Sequence, residues 1–101
     1  MNIKLAADEN GKLLALWGNN YVDHGPYSEF GDLLTMRLSQ FTGAGYGINS
    51  IRNKSTTVFT NHAWGSAFRA YGSPQSYMGS EIAIDVLADK DGNSTPSISV
   101  K

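Results

Sequence analysis

Apolar and polar positions alternate from the first residues of the chain. In Asn2-Ile3-Lys4-Leu5 every second side chain is apolar, the period of a strand with one covered face. Asp8-Glu9-Asn10-Gly11 interrupts the alternation. Its Asn-Gly pair is a strong hairpin signal, because both residues tolerate positive φ. The apolar run Leu13-Leu14-Ala15-Leu16-Trp17 reads as the returning strand, covered on both faces. Glycine, asparagine and proline then punctuate residues 18–26, which are expected to be loop with at most a short strand at Tyr21-Val22.

The period changes after that loop. Phe30, Leu33, Leu34, Leu38 and Phe41 recur at helical spacing. Ser28 is placed to cap this helix, Glu29 and Asp32 suit its first turn, and Gly43 is placed to stop it. β-Branched residues next predict two short strands, about 48–52 and 56–60, joined through Asn53-Lys54-Ser55. Near the end, Ile82, Ile84 and Val86 alternate with Ala83 and Asp85, which predicts another strand. A turn over 89–94 then leads to a last strand at 97–100, with Pro96 at its edge.

Residues 59–79 carry five aromatic side chains and allow two readings. Trp64, Phe68 and Tyr71 have helical spacing, so a short helix over 66–71 closed by Gly72 is one. In the other, the strand at 56–60 turns sharply at Gly65 and returns antiparallel over 67–71, with Phe59 packed on Trp64 across the bend. The strand reading accounts for more of the residues. It places Trp17, Phe59, Trp64 and Phe68 in the core.

The order aromatic, four-residue gap, aromatic, glycine, small residue (Phe59, Trp64, Gly65, Ser66) resembles the folded-hairpin signature of the βγ-crystallin family. "GNSTPSISV" at 92–100 is similar to the family's serine-containing closing segment, and "GYGINSIR" at 45–52 is its counterpart in the first half. "GPYSEFGDLL" at 25–34 looks like the glycine-tyrosine loop and helix that members often carry. The first half departs from the pattern, since Leu5, Ala6 and Gly11 stand where paired aromatics belong. The resemblance spans nearly the whole chain as two motifs, about 1–54 and 55–101. It implies an all-β fold with one short helix: a single-domain, two-sheet Greek-key β-sandwich, βγ-crystallin-like, with a non-enzymatic structural or binding role.

Microbial members of that family bind calcium, through two Asn/Asp, two variable positions, Ser/Thr and Ser. Here Pro96 occupies the hydroxyl position of the second match and Asn49 that of the first, so the resemblance implies weak or lost calcium binding. Asp89, Asp91 and Asn93 in "DKDGN" separately resemble a fragment of a calcium loop. No glutamate closes that loop, and a polar hairpin turn accounts for the same residues.

Composition narrows the function classes further. The 101 residues suit one domain, and 41% hydrophobic with 17% charged residues suit a globular one. A net charge of -1 without a basic stripe argues against nucleic-acid binding. The absence of cysteine excludes disulfides, zinc ribbons and thiol chemistry. No apolar run approaches the ~20 residues of a membrane span, and no leader-type apolar segment follows Met1. His24 and His62 stand apart, and no spacing singles out a pair among Glu29, Asp32, Glu81 and Asp85, so no enzymatic activity is expected. Tyr21, Tyr27 and Tyr77, flanked by polar residues and glycine, are the candidate ligand-binding residues. They support an alternative reading, a carbohydrate- or protein-binding β-sandwich module such as a protease inhibitor.

Overall fold

The computed structural model describes residues 1–27 and 29–90. In chain order these form β1 (Asn2–Ala7), β2 (Leu13–Asp23), α1 (Gly31–Phe41), β3 (Ser50–Val58) and α2 (Ser73–Lys90). The strands make one sheet in the order β1-β2-β3, with β1 antiparallel and β3 parallel to the central β2. The parallel pair is closed through α1, a β-α-β unit. α1 packs on β3, and α2 packs on β1 and α1. The result is a small mixed α/β layer, not the expected all-β Greek-key sandwich.

The hairpin at the start forms as its sequence dictates. Asp8 Oδ1 accepts from the backbone N–H of Asn10 and of Lys12, both at 2.9 Å, and Gly11 takes φ 78°. A bulge follows, because Ala6 pairs with Ala15 while Ala7 pairs with Leu13. The extra residue resets the two-residue parity, so Leu13 is buried on the same strand as Leu16, Gly18 and Asn20. β2 then runs on to Asp23, where loop was expected. The cause is tertiary: β3 pairs with it from Ala15 to Asp23. Gly18 lies across from Asn53, and a Cβ there would collide with the Asn53 amide.

β3 is likewise one strand where two were expected. Asn53-Lys54-Ser55 is its middle, and residue 54, the expected motif boundary, lies inside it. Asn53 Nδ2 donates to the Ser39 carbonyl at 2.9 Å, and Ser39 Oγ donates to Ser55 Oγ at 2.5 Å. The polar residues that suggested a turn instead join the strand to α1.

α1 exists where the spacing placed it, and Gly43 at φ 79° follows its last turn. Its buried side is different, made of Gly31, Thr35 and Leu38, while Phe30 and Leu33 are exposed. Phe30 is the N-cap and no described side chain caps the helix; Ser28, the expected cap, lies outside the described residues.

α2 replaces the strand expected over 82–86. Its buried residues, Ser76, Ser80 and Ile84, recur every four positions, whereas Ile82 and Val86 are each 51% exposed. Pro74 sits in the first turn, where its missing N–H costs no helical bond. The expected turn and closing strand beyond Lys90 lie outside the described residues.

Residues 59–72 form neither the folded hairpin nor the short helix. Trp17, Phe59, Trp64 and Phe68, expected in the core, are 37%, 62%, 55% and 101% exposed. The buried apolar side chains among the described residues are instead Leu13, Leu16, Leu38 and Ile84, and much of the layer between sheet and helices is polar. Thr42 Oγ1 and Ser76 Oγ both donate to the Leu38 carbonyl, at 2.8 and 2.6 Å, and Ser80 Oγ accepts from Gly43 N–H at 3.0 Å.

Candidate functional site

The parallel strands β2 and β3 end side by side, Asp23 opposite Val58. From this edge leave two irregular segments, 24–30 and 59–72. In open α/β sheets the carboxyl ends of the strands form the usual ligand crevice, because loops and helix starts converge there. The two segments are stitched together. His24 N–H donates to the Val58 carbonyl and Thr60 N–H to the Gly25 carbonyl, both at 3.1 Å. Gly25, at φ 69°, lies so close to the second segment that a Cβ would be 2.7 Å from the His62 carbonyl oxygen. Tyr71 hydroxyl donates to the Phe30 carbonyl at 2.9 Å.

Asp23 organises one side of the edge. Its Oδ1 accepts from Thr60 Oγ1 at 2.7 Å and from Gly25 N–H at 2.9 Å. Its Oδ2 lies 2.7 Å from His62 Nδ1. The Thr60 hydroxyl, the Gly25 amide and then His62 hold the Asp23 carboxyl down at about 2. Since the carboxylate can only accept, His62 Nδ1 donates to it.

His24 is the buried counterpart, 2% exposed. Thr35 Oγ1 donates its one proton to the Gly31 carbonyl at 2.9 Å, so it can only accept from Thr57 Oγ1 at 2.9 Å and from His24 Nε2 at 3.4 Å. His24 therefore carries its hydrogen on Nε2, and Nδ1 has no partner among the described residues. Its ring lies against Gly31, where a Cβ would be 2.5 Å from it.

The third feature is strained backbone. Ala70, Tyr71 and Gly72 take φ values of 64°, 35° and 89° in succession. Non-glycine residues in this region cost about 1–3 kcal/mol each and cluster at ligand clamps. Just before them Phe68 is fully exposed and Arg69 is exposed. Just after them α2 begins, beside the α1 backbone, with a Cβ on Gly72 only 2.9 Å from the Leu34 carbonyl. Two helices thus start near this edge; no described side chain caps α1, whereas α2 opens with Ser73 N–H bonded to the Ala70 carbonyl and with Pro74, which has no N–H. Free N–H groups at helix starts favour negative charge. With an arginine and an open aromatic face alongside, the arrangement suits a flat group that carries an anion.

The residues singled out from sequence do not come together. Tyr21 on β2 and Tyr27 in segment 24–30 are 62% and 72% exposed, on the half of the molecule that holds the edge. Tyr77 lies on α2 against Phe41, the last residue of α1, with ring centroids 6.3 Å apart. Asn49 is exposed in the bend before β3, and Asp89 is in the last turn of α2. Asp91 and Asn93 lie outside the described residues. Among the described residues no three His, Cys, Asp or Glu side chains could share a metal ion. Sequence reasoning missed Phe68–Gly72 as a site. The available signal was Ser73-Pro74, a helix start placed directly after glycine.

Residues 1–97 match the family model of the molybdopterin cofactor-binding domain. The chain is 61% identical, over 91% of its length, to an aldehyde oxidoreductase of Megalodesulfovibrio gigas. It is 28% identical over 87% to the nicotinate dehydrogenase large molybdopterin subunit of Eubacterium barkeri. One polypeptide of a probable xanthine dehydrogenase of Bacillus subtilis is 31% identical over 87%. The chain spans 10%, 21% and 12% of these three relatives. Solved aldehyde oxidoreductases from Desulfovibrio gigas and Desulfovibrio desulfuricans superpose with TM-scores of 0.82, at 59% and 56% identity, over 89% of this chain and 10% of theirs. These matches overturn the βγ-crystallin resemblance and the Greek-key sandwich that it implied. They also overturn the expectation of a non-enzymatic binding domain, since the relatives are named as an oxidoreductase and dehydrogenases. The cofactor that the family implies is molybdopterin, not calcium. No helix among the described residues is long and apolar enough to cross a membrane.

Proposed function

The chain belongs to the molybdopterin cofactor-binding domain family, and on that premise we propose that it forms part of the cofactor-holding wall of an aldehyde-oxidising enzyme. The observation that carries the substrate class is the identity gradient, 61% to an aldehyde oxidoreductase against 28% and 31% to the two dehydrogenases. What supports the cofactor is the carboxyl edge of the sheet. Its donors fit a flat, anion-bearing group: the first-turn N–H groups of α1 and the Arg69 guanidinium. Phe68 offers an open apolar face beside them. When bound, the cofactor supplies the redox centre of the reaction. The part of this chain is to orient and to neutralise charge, and the strained backbone at Ala70 and Tyr71 fixes the direction of Arg69 and Phe68 in advance.

The test uses the native polypeptide that contains this chain. Pterin content after acid release and aldehyde oxidation with a dye acceptor are measured for wild type and Arg69→Ala. Wild type is expected to carry pterin and oxidise aldehydes. Arg69→Ala is expected to hold several-fold less pterin with an unchanged melting temperature of the apoprotein. A wild-type protein that carries pterin yet turns over only xanthine or nicotinate would remove the substrate class, and one without pterin would remove the cofactor role.

A further inference from the structure

Parallel strands are normally buried between layers on both faces. Among the described residues, the helices cover one face of this sheet. α1 meets Asn53 and Ser55 through Ser39, and α2 meets Ile3 at Gly79. Ile3, Gly18, Asn53 and Ser55 share that face by register. The opposite face is built in rows across the three strands. Lys4, Trp17 and Arg52 stand side by side in one row, and Asn2, Asn19 and Lys54 in the next. Tyr21 follows two positions further along β2, on the same face. Lys4 Nζ lies 5.3 Å from the Trp17 ring centroid. Three of the eight Lys and Arg residues in the chain thus share one face. None of the three is paired with a carboxylate among the described residues. Asp23, at the end of this face, is already taken by Thr60, Gly25 and His62. Asn19 Oδ1 is buried and has no partner among the described residues.

Resting on the reading of this chain as one wall of a longer enzyme, we propose that this second face of the sheet docks a carboxylate-bearing segment of the same polypeptide, from outside these 101 residues. The chain spans a tenth of the aldehyde oxidoreductase that it matches, so most of such an enzyme is available as the cover. The chemistry of the cover follows from the charges. Lys and Arg are almost never buried unless paired, so a layer over Lys4, Arg52 and Lys54 brings Asp or Glu with it. Trp17 and Tyr21 supply apolar contact between the charges, and a donor from the cover meets Asn19 Oδ1. A second copy laid face to face would set like charges against each other. A tethered segment also has the advantage of a high effective concentration over any separate partner.

The experiment uses the native polypeptide that contains this chain, in dilute solution. A carbodiimide joins an ammonium to a carboxylate in contact with it, and peptide mapping identifies both ends. Lys4 or Lys54 is expected to be joined to an Asp or Glu outside residues 1–101. Mixing isotope-labelled with unlabelled protein shows that both ends belong to one molecule. Brief acetylation should mark Lys4 and Lys54 several-fold less in the folded protein than in urea. Arg52→Glu should lower the melting temperature by several degrees, and Arg52→Lys should largely retain it. Lys4 and Lys54 acetylated as fast in the folded protein as in urea would overturn the proposal. So would protection without such a link, or links confined to residues 1–101 or to a second copy. A native polypeptide with no more than the mass of these 101 residues would instead overturn the reading on which the proposal rests.

Discussion

Single atoms decide several features of the edge, and they can be tested one at a time. Gly31 is glycine because the His24 ring lies where its Cβ would be. Gly31→Ala is therefore expected to destabilise by about 1–3 kcal/mol, the usual cost of overpacking. Urea unfolding checks this, and an unchanged midpoint would show that the ring can yield. Asp23 makes the second test. Its carboxyl is held at about 2, against an ordinary value of 3.8, by the bonds from Thr60, Gly25 and His62. A depressed carboxyl favours the folded state above its ordinary value, and that contribution fades as pH falls from 3.8 through about 2. The melting temperature of wild type should thus exceed that of Asp23→Asn near neutrality, and the gap should close across this window. Tyr46 moves the other way, pushed up to about 12 by partial burial and by its hydrogen bond to Glu81. Stability should decline as pH rises from the ordinary value of 10 through about 12, which a melting-temperature series over that range checks.

At the level of elements, α2 carries the clearest test, because its buried face is made largely of serine. Ser80→Ala leaves the Gly43 amide without its acceptor and is expected to cost about 1–3 kcal/mol. Ile84→Ala is expected to cost about 2–5 kcal/mol, and Ile82→Ala, on the exposed side, about 0.5 or less. The reverse order of the two isoleucines in denaturant midpoints would contradict the helix. The same element shows why the sequence was only partly legible. Ile82, Ile84 and Val86 keep a strand's period, while the helical period is written in Ser76, Ser80 and Ile84, and buried serines give no hydrophobic signal. The β1–β2 hairpin was readable because Asn10-Gly11 is a local device, and α1 was readable from its spacing and Gly43. The length of β2 and the continuity of β3 were not, since each depends on pairing with the other. The site was hidden for the same reason: Asp23 and His62 stand 39 positions apart and meet only once β2 and β3 align.

Taken over its described residues, the molecule places few apolar side chains inside and many outside. Among the described residues Leu13, Leu16, Leu38 and Ile84 are the buried apolar ones, while Met78, Ile82 and Val86 form an exposed stripe along α2 at intervals of four. Exposed stripes of this kind mark surfaces that other protein covers, and the chain spans only a tenth of the aldehyde oxidoreductase that it matches. In a longer enzyme of that kind, further polypeptide is the natural cover for α2. Two environments then give opposite results for one substitution. In the isolated 101-residue chain, Met78→Lys with Ile82→Glu should reduce self-association in sedimentation velocity and leave the melting temperature within a few degrees, because both side chains already face water. In the native polypeptide the same pair should lower the melting temperature by several degrees, since it buries charge against apolar surface. If the native polypeptide tolerates the pair as the isolated chain does, the stripe faces solvent there too, and the cover must lie elsewhere on the fold.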